Sequence, residues 1–415
     1  MLSVSTALER LRDCLSDDFP PSSGTRIFDI PFPLHDAFDP LLWCGHQAQW
    51  PQFYWLQRNG DEELAALGAV KTFPSLAGAH DFLQRQGLAD LRICGLNAFN
   101  PQEGRLFLPR LEWRRVGGKA TLRLLLNSET SLREDAIAAR AFLQALTPDQ
   151  AQPAALPPVL SEQHSPDYPQ WHALIEQATQ AIAAGEMDKV VLARATDVQF
   201  AAPPDPLAIV AASRRSNHRC FHFMMAFNAQ RTFFGSTPER LWRRRGTLLR
   251  TEALAGTVAS HPDDRQAQLL ADWLMKDDKN QRENMLVVED ICQRMQDEVR
   301  SLDVLPPQVV RLRKVQHLRR CIWLNSLSLT IPAACISCSR PPRSPDYRAG
   351  RRWHLLPAMN LLPGNGTPAP LATCRWRKAN SAWPCVRRKS KTPRSGCMPE
   401  PGLSAAPILS RSGRR

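Results

Sequence analysis

The sequence lacks long apolar runs, since no uninterrupted stretch approaches the roughly 20 apolar residues of a membrane-spanning helix. Residues 1–14 also lack the apolar core and small-residue cleavage site of a secretory signal peptide. Both absences favour a cytoplasmic protein without a membrane-bound part. The chain has 415 residues, of which 43% are hydrophobic, so it can form two or three cores of ordinary size and is not wholly disordered.

Acidic residues are scarce in the last part of the chain. From Leu324 onward there are 16 Lys and Arg residues, but only Asp346 and Glu400 as acids. Because the whole chain has 53 basic and 40 acidic residues, the part before Leu324 has 37 and 38 and is close to neutral. The net charge of +13 is therefore a property of the C-terminal segment, and not of a basic binding face spread over the whole chain.

Cysteines at disulfide or metal-ligand spacing are also few. Wide spacing in the first 323 residues is typical of reduced, mostly buried thiols. Cys335 and Cys338 have the spacing of half a zinc site, but no second pair of Cys or His follows at ligand spacing, so zinc binding is not predicted. The widely spaced cysteines are Cys14, Cys44, Cys94, Cys220, Cys292 and Cys321.

Strand-like segments that flank glycine-containing turns predict that residues 1–150 are mostly antiparallel β-structure. Asn and Gly accept positive φ, which tight hairpin turns require. The predicted hairpins are 52–57 with 64–70 across Asn59-Gly60, and 106–115 with 119–126 across Gly117-Gly118. Ser131 and Glu134 have the spacing of a capping box, which predicts a helix from there to about Leu146.

Residues 147–166 are rich in Pro, Gln and Ala without a period, which predicts a linker. After it, apolar residues at helical spacing predict a helix that ends near Gly185. A second region is therefore expected at 160–323. Its further strands are predicted at 189–200, 219–227, 232–235 and 242–251, and its helices at 263–275 and 277–299.

Four short motifs in this second region are informative as a set, although each alone would be weak. They are GEMDKVVLAR at 185–194, GSTPER at 235–240, EALAGT at 252–257 and DDKNQRENMLVVED at 277–290. Together they resemble the chorismate-utilising enzymes, and the resemblance extends over residues 1–323. The runs PQFYW at 51–55 and RNGDEE at 58–63 are similar, within that family, to the isochorismate synthases of the menaquinone pathway.

The resemblance implies an α+β fold of the anthranilate synthase component I type. In that fold two large antiparallel sheets pack with outer helices, and the active site lies between the sheets. The implied reaction is the Mg²⁺-dependent conversion of chorismate to isochorismate, in which water adds at C2 and the C4 hydroxyl leaves. Chorismate would be the small-molecule partner, without nucleic acid or membrane, and the oligomeric state stays open.

The resemblance also implies roles for individual residues. Lys189 matches the general base for the attacking water, and Glu239 matches the general acid for the departing hydroxyl. A lysine acts as a base near neutral pH only where burial or nearby cations lower its pKa, and an acidic glutamate needs the opposite environment. Glu283 matches one of the magnesium carboxylates, whose metal would neutralise the ring carboxylate of chorismate. The substrate-binding candidates are Gly256, Thr257 and His317.

Several alternatives remain at the level of sequence. A lysine at a strand start or a glutamate on a helix is commonly solvated, and His317 is as easily structural as functional.

Ammonia-using relatives typically have glutamine at the position of Lys189, so water is the expected nucleophile. Relatives that form aminodeoxychorismate have a nucleophilic lysine at the position of Ala255, and alanine cannot perform that chemistry. Salicylate synthases keep the lysine at position 189, so a lyase activity of that kind is one alternative. A nucleic-acid-binding protein that uses the basic tail is another, although it leaves the motifs unexplained.

Residues 324–415 depart from the family, because they are rich in Pro, Ser, Arg, Cys and Trp and lack a helical or strand period. Residues 334–350 can be encoded so that reading one base earlier gives LHQLQPTAAIAGLPRG. Residues 398–413 can be encoded so that the same shift gives YAGAGIVRGSDPEQEW, and both peptides are family-like. We predict one frameshift between Trp323 and Ala334 and a non-native, disordered tail. The product would be inactive and aggregation-prone, because it lacks the family's C-terminal substrate-binding residues and second magnesium glutamate. Whether the changed base is a sequencing error or a real lesion stays open.

Overall fold

The computed structural model describes residues 3–15, 18–32, 38–88, 91–97, 103–186, 189–327, 374–375, 385–387 and 408–410. The chain divides into two compact units. The first takes in Met1–Pro157 and Pro203–Pro238, and the second takes in Pro158–Ala202 and the described residues from Glu239 to Leu327.

Helices and antiparallel strands occur in both units, which confirms the α+β class. The described helices are α1 (Val4–Asp13), α2 (Pro40–His46), α3 (Leu76–Gln86), α4 (Leu132–Gln144), α5 (Tyr168–Ala183), α6 (Pro206–Ser216), α7 (Asp264–Lys276) and α8 (Asp278–Met295), and a 3₁₀ turn (Gln296–Glu298) follows α8. The described strands up to Leu327 are β1 (Gly24–Phe32), β2 (Gln52–Leu56), β3 (Glu62–Phe73), β4 (Cys94–Asn97), β5 (Gly104–Val116), β6 (Lys119–Ser128), β7 (Val159–Ser165), β8 (Lys189–Val191), β9 (Ala195–Phe200), β10 (Phe221–Asn228), β11 (Arg231–Thr237), β12 (Arg243–Arg245), β13 (Leu248–Ala259), β14 (Val299–Val304), β15 (Gln308–Arg311) and β16 (Val315–Ser326). Three short strands follow, namely β17 (Cys374–Arg375), β18 (Cys385–Arg387) and β19 (Ile408–Ser410).

Each described helix begins after a Ser or Asp whose side chain accepts a backbone N–H of the first turn. Such N-caps satisfy donors that have no partner within the helix. The caps are Ser3, Asp39, Ser75, Ser131, Asp167, Asp205, Asp263 and Asp277. The predicted start of α4 after Ser131 is confirmed.

The first unit is built on one antiparallel sheet with the strand order β1-β6-β5-β3-β2-β10-β11, and β4 pairs with β5. Both predicted hairpins are present, since β2 pairs with β3 and β5 with β6. Their turns contain Gly60, Gly117 and Gly118 at positive φ, as the turn chemistry requires. The core beside this sheet includes the fully buried rings of Trp43 and Trp113.

The second unit contains a smaller antiparallel sheet with the order β12-β13-β16-β14, and β15 pairs with β16. Helix α8 packs on this sheet through Val288 and Met295, which contact Leu249 and Ala253 of β13 and Ile322 of β16. This packing fixes α8 against the two central strands. A separate two-stranded pair is formed by β7 and β9.

The structure divides the chain differently from the expected regions 1–150 and 160–323. Residues 203–238 join the first unit because β10 pairs with β2, from His222 opposite Leu56 to Ala226 opposite Gln52. The predicted linker at 147–166 contains a strand, β7, in its second half. The predicted strand at 189–200 is two strands, β8 and β9.

The folded part also continues beyond the expected boundary at residue 323. Strand β16 extends to Ser326, and Leu324 is buried opposite Leu249. In the segment 328–415, the described residues are those of β17, β18 and β19, and β19 pairs with β8. The remainder, with the Cys335 and Cys338 pair for which zinc binding is not predicted, lies outside the described residues. Disorder of the tail stays a prediction.

The six cysteines before residue 324 are free thiols, of which Cys44, Cys94 and Cys220 are buried. Burial raises the pKa of the Cys44 and Cys220 thiols to about 12, so both thiols stay protonated near neutral pH. Within the part of the chain that the structure describes, no helix combines the length and the apolar character needed to cross a bilayer.

Candidate active site

The pairing of β13 with β16 is interrupted by a bulge. Leu254 lies opposite Arg319 and Thr257 opposite His317, so two residues of β13 face one residue of β16. Gly256 in this bulge has a φ of +84°, which residues with a side chain rarely adopt. A Cβ at Gly256 would lie 3.1 Å from the Cβ of Asn280 in α8. The bulge and the close approach of α8 therefore both require glycine.

The residue after the bulge, Thr257, is fixed from two directions. Its hydroxyl lies 2.9 Å from Nδ1 of His317, and its backbone N–H donates to Oδ1 of Asn280 at 3.2 Å. Thr257 is exposed and His317 is half-buried. A hydroxyl and an imidazole are thus held side by side at a surface that a polar ligand can reach.

Asn284 of α8 is fully buried and joins the helix to both strands of the bulge. Its Nδ2 lies 3.2 Å, 3.0 Å and 3.2 Å from the carbonyl oxygens of Ala253, Ala255 and Leu318. Its Oδ1 accepts a hydrogen bond from the Arg320 guanidinium at 2.5 Å. The amide therefore supplies hydrogen bonds where the bulge interrupts the ladder between the strands. Partial burial lowers the pKa of Arg320.

Glu283 stands next to this buried amide and is itself half-buried. It lies three residues after Asn280, and residues three apart on a helix share one face. Because Asn280 contacts Gly256 and Thr257, α8 carries the Glu283 carboxylate on the side of the bulge.

Glu239 lies in the irregular segment between β11 and β12. The N–H of the next residue, Arg240, donates to Oε1 of Glu252 at 2.9 Å. The hydroxyl of Thr251 donates to the carbonyl oxygen of Leu241 at 2.7 Å. Strand β12 pairs with residues 248–250 of β13. The segment before β12 has no backbone pairing with β13, and the side chains of Thr251 and Glu252 bind it instead.

Comparison with known proteins identifies the family of the chain. The chorismate binding enzyme family matches residues 96–325, which is more than half of the chain. The chain belongs to the chorismate-binding enzymes. It is 60% identical to isochorismate synthase MenF of Escherichia coli K12 over 82% of this chain and 79% of that protein. It is 37% identical to isochorismate synthase MenF of Pasteurella multocida over 69% of this chain and 65% of that protein.

The solved structure of the menaquinone-specific isochorismate synthase MenF from E. coli has a TM-score of 0.79 with this chain. The identity in that comparison is 59%, and it covers 81% of this chain and 79% of the E. coli chain. The fold expected from the sequence motifs is thereby confirmed.

In this chorismate-binding enzyme, the second unit contains all six candidate residues that the family resemblance implies. Gly256, Thr257 and His317 are brought together at the bulge. Glu283 lies one turn after Asn280, the α8 residue that binds the bulge, and Glu239 is connected to β13 through the residue that follows it. Their individual roles stay predictions.

Lys189 is the exception, because only its backbone is described. It begins β8, which pairs with β19 and not with the sheet that carries the bulge. The convergence of the Lys189 side chain with Glu239 on one ligand therefore stays a prediction.

The fit of this enzyme to Mg²⁺ is partial. A carboxylate such as that of Glu283 is a suitable hard oxygen ligand. Among residues 1–327 and the short tail strands, as far as the structure describes them, no group of three or more His, Cys, Asp or Glu side chains converges on a possible metal position. The described residues thus offer a suitable ligand type without a complete ligand set, and no catalytic step can be derived through the metal.

Sequence reasoning missed the residues that hold this site in place. Asn284 could have been found, because it is a polar residue in register with the buried Val288 and Met295 of α8. Glu252 is the one acid of β13 and is followed by the apolar residues Ala253, Leu254 and Ala255, which is a similar signal. The bonds of Asn280 to the bulge depend on register and have no sequence signal of their own.

Proposed function

We propose that the chain has the active site of an isochorismate synthase, which converts chorismate to isochorismate. The observation that carries this proposal is the 60% identity to E. coli MenF over 82% of the chain. The bulge with Thr257 and His317 supports it, because a hydroxyl and an imidazole suit a ligand rich in carboxylate and hydroxyl groups. The cytoplasm is proposed as its location.

In the proposed reaction, a water molecule adds to C2 of the ring while the C4 hydroxyl departs. Lys189 in its neutral form takes the proton of the attacking water, and Glu239 in its acidic form gives a proton to the departing hydroxyl. The ring double bonds shift between the two positions, so atoms and charge balance. Both groups require pKa values near the working pH, which burial in a closed site favours.

Substrate binding is assigned to the bulge. Gly256 allows the backbone to approach closely, and Thr257 and His317 offer hydrogen bonds to the ligand. The proposal includes Mg²⁺ as cofactor, held in part by Glu283, and such a metal would neutralise the ring carboxylate of chorismate. The remaining metal ligands would have to come from the C-terminal segment in its restored frame.

We further propose that the chain as it stands is inactive because its C-terminal segment is translated in the wrong frame. The family match ends at residue 325, and β16 ends at Ser326. The acid-poor composition begins at the same place. The family-like peptides obtained from residues 334–350 and 398–413 by one shift support a single frameshift shortly after β16.

The test compares the chain as it stands with a version whose frame is restored after Ser326. Each is incubated with chorismate and Mg²⁺, and isochorismate, salicylate and pyruvate are separated and quantified. Isochorismate from the restored chain alone is the expected result. Comparable turnover by both chains would contradict the frameshift proposal, and salicylate with pyruvate as main products would favour the lyase alternative.

Two substitutions in the restored chain test the assigned chemistry. Lys189→Ala and Glu239→Gln should each lower kcat by about 100-fold or more, since general acid–base groups contribute about 10²–10⁴-fold. The matched control is Glu289→Gln, an exposed residue of α8. Full activity of either site variant would remove that residue from the proposed mechanism.

A further inference from the structure

We propose that Glu252 is a positioning residue that sets the place of Glu239, an inference that rests on the proposed function. The side chain of Glu252 is 1% exposed. Its Oε1 accepts the Arg240 N–H at 2.9 Å, and its Oε2 lies 4.0 Å from a guanidinium nitrogen of Arg319. A buried carboxylate is costly unless hydrogen bonds or cations compensate it, so this geometry is specific.

The bond from Arg240 acts directly on Glu239. The N–H that Glu252 accepts belongs to the peptide group that joins Glu239 to Arg240. That peptide group lies in a segment without helix or strand, so no backbone ladder fixes its orientation. Glu252 therefore fixes the peptide group that follows Glu239, while the Pro238 carbonyl oxygen before it accepts a hydrogen bond from Arg58 at 2.9 Å.

Thr251 adds a second attachment two residues after Glu239. Its hydroxyl donates to the Leu241 carbonyl oxygen at 2.7 Å, and Thr251 is 4% exposed. Thr251 and Glu252 are neighbours on β13, and they bind two successive residues of the segment, Leu241 and Arg240. We call these residues and the two bonds they form the β13 clamp.

The β13 clamp has a kinetic consequence. A general acid must stand within hydrogen-bond reach of the group it protonates, and a displacement of about 1 Å can cost about 100-fold in rate. Loss of the clamp should therefore lower kcat and leave KM nearly unchanged, because neither of its two bonds involves Gly256, Thr257 or His317. Glu252→Gln keeps an oxygen acceptor and should recover most of the activity.

The first arm of the test uses the chain as it stands and requires no activity. Hydrogen exchange of the Arg240 amide is measured by mass spectrometry with fragmentation to single residues. Slow exchange in the parent and in Glu252→Gln, and fast exchange in Glu252→Ala, are the expected results. Fast exchange in the parent, or slow exchange in Glu252→Ala, would overturn the β13 clamp itself.

The second arm uses the frame-restored chain. Glu252→Ala should lower kcat by about 100-fold, Glu252→Gln should retain kcat within about 5-fold, and Thr251→Val should lie between them. The acid limb of the pH profile should shift in Glu252→Ala, which a purely structural role would not produce. Glu289→Ala is the exposed control of the same substitution type. Circular dichroism and melting curves establish which variants are folded.

The outcomes separate the two proposals. Equal kcat values for the parent, Glu252→Ala and Thr251→Val would overturn the positioning role, whatever the exchange data show. Equal losses in Glu252→Ala and Glu252→Gln would also contradict it, because the acceptor alone would then not suffice. A restored parent without isochorismate formation would overturn the proposed function, and the exchange of the Arg240 amide would still decide whether the clamp exists.

Discussion

Replacing Asn284 by leucine should destabilise the second unit strongly, because this buried amide bridges α8 to both strands of the bulge. The leucine has nearly the same size, so packing volume changes little. The change removes the hydrogen bonds to the carbonyl oxygens of Ala253, Ala255 and Leu318, and the acceptor of Arg320. The effect therefore measures hydrogen bonding more than cavity formation.

The magnitude follows from the number of donors and acceptors. The amide has two N–H groups, and a typical buried hydrogen bond contributes about 1 kcal/mol net. The Arg320 guanidinium loses its bond to Asn284 but keeps a second partner, the side-chain oxygen of Gln281 at 2.7 Å. This lost bond should therefore lower the free energy of unfolding by about 1 kcal/mol. The expected decrease in the free energy of unfolding is about 3 kcal/mol.

Urea unfolding of the chain as it stands measures this decrease from the transition midpoints at a common slope. Gln293→Leu is the matched control, since Gln293 is an exposed amide of the same helix and its change should stay within about 0.5 kcal/mol. An Asn284→Leu variant as stable as the control would refute the assigned role of the amide.

Three further predictions use the same chain. Burial, and secondly a nearby guanidinium, lowers the pKa of His222 from 6.5 to about 4, so the unfolded chain binds the proton more readily. Stability should therefore fall as the pH decreases from about 6.5 to about 4, and His222→Gln should lose this part of the pH dependence of the urea midpoint. Gly256→Ala should lower the free energy of unfolding by about 2–3 kcal/mol and Gly246→Ala by about 1 kcal/mol. Both glycines have positive φ, but of the two only Gly256 lies close to another element. Equal urea midpoints for the two variants would contradict this prediction. Leu269 and Trp273 of α7 are 56% and 52% exposed, and exposed apolar side chains favour aggregation. Replacing both by Gln should therefore reduce light scattering by the aggregated chain at equal concentration. Unchanged scattering would show that another surface causes the aggregation.

Local chemistry explains which elements the sequence predicts well. The hairpin at Asn59-Gly60 and the start of α4 at Ser131 depend on residues within one turn of each other, so they are readable without the rest of the chain. Strand β16 was not predicted, because Arg319, Arg320 and Trp323 obscure the apolar alternation of a buried strand.

Long-range pairing explains what the sequence did not predict. The assignment of residues 203–238 to the first unit depends on the pairing of β10 with β2, which lies far away in the chain. For the site, the family resemblance implied Thr257 and His317, which the structure places side by side. Asn280, which accepts the Thr257 N–H, and Glu252, which accepts the Arg240 N–H, act through hydrogen bonds between residues that are distant in the sequence, and no periodicity reveals such bonds.

The proposed addition of water at C2 is tested most directly by following the oxygen atom that enters the product. The frame-restored chain is incubated with chorismate and Mg²⁺ in water enriched in the heavy oxygen isotope, and the isochorismate is examined by mass spectrometry. One heavy oxygen at C2 is expected in the parent, and product formation should be slower by about 100-fold or more in Lys189→Ala and in Glu239→Gln. Isochorismate without the heavy isotope, or product formation at the parental rate in both variants, would contradict the proposed reaction.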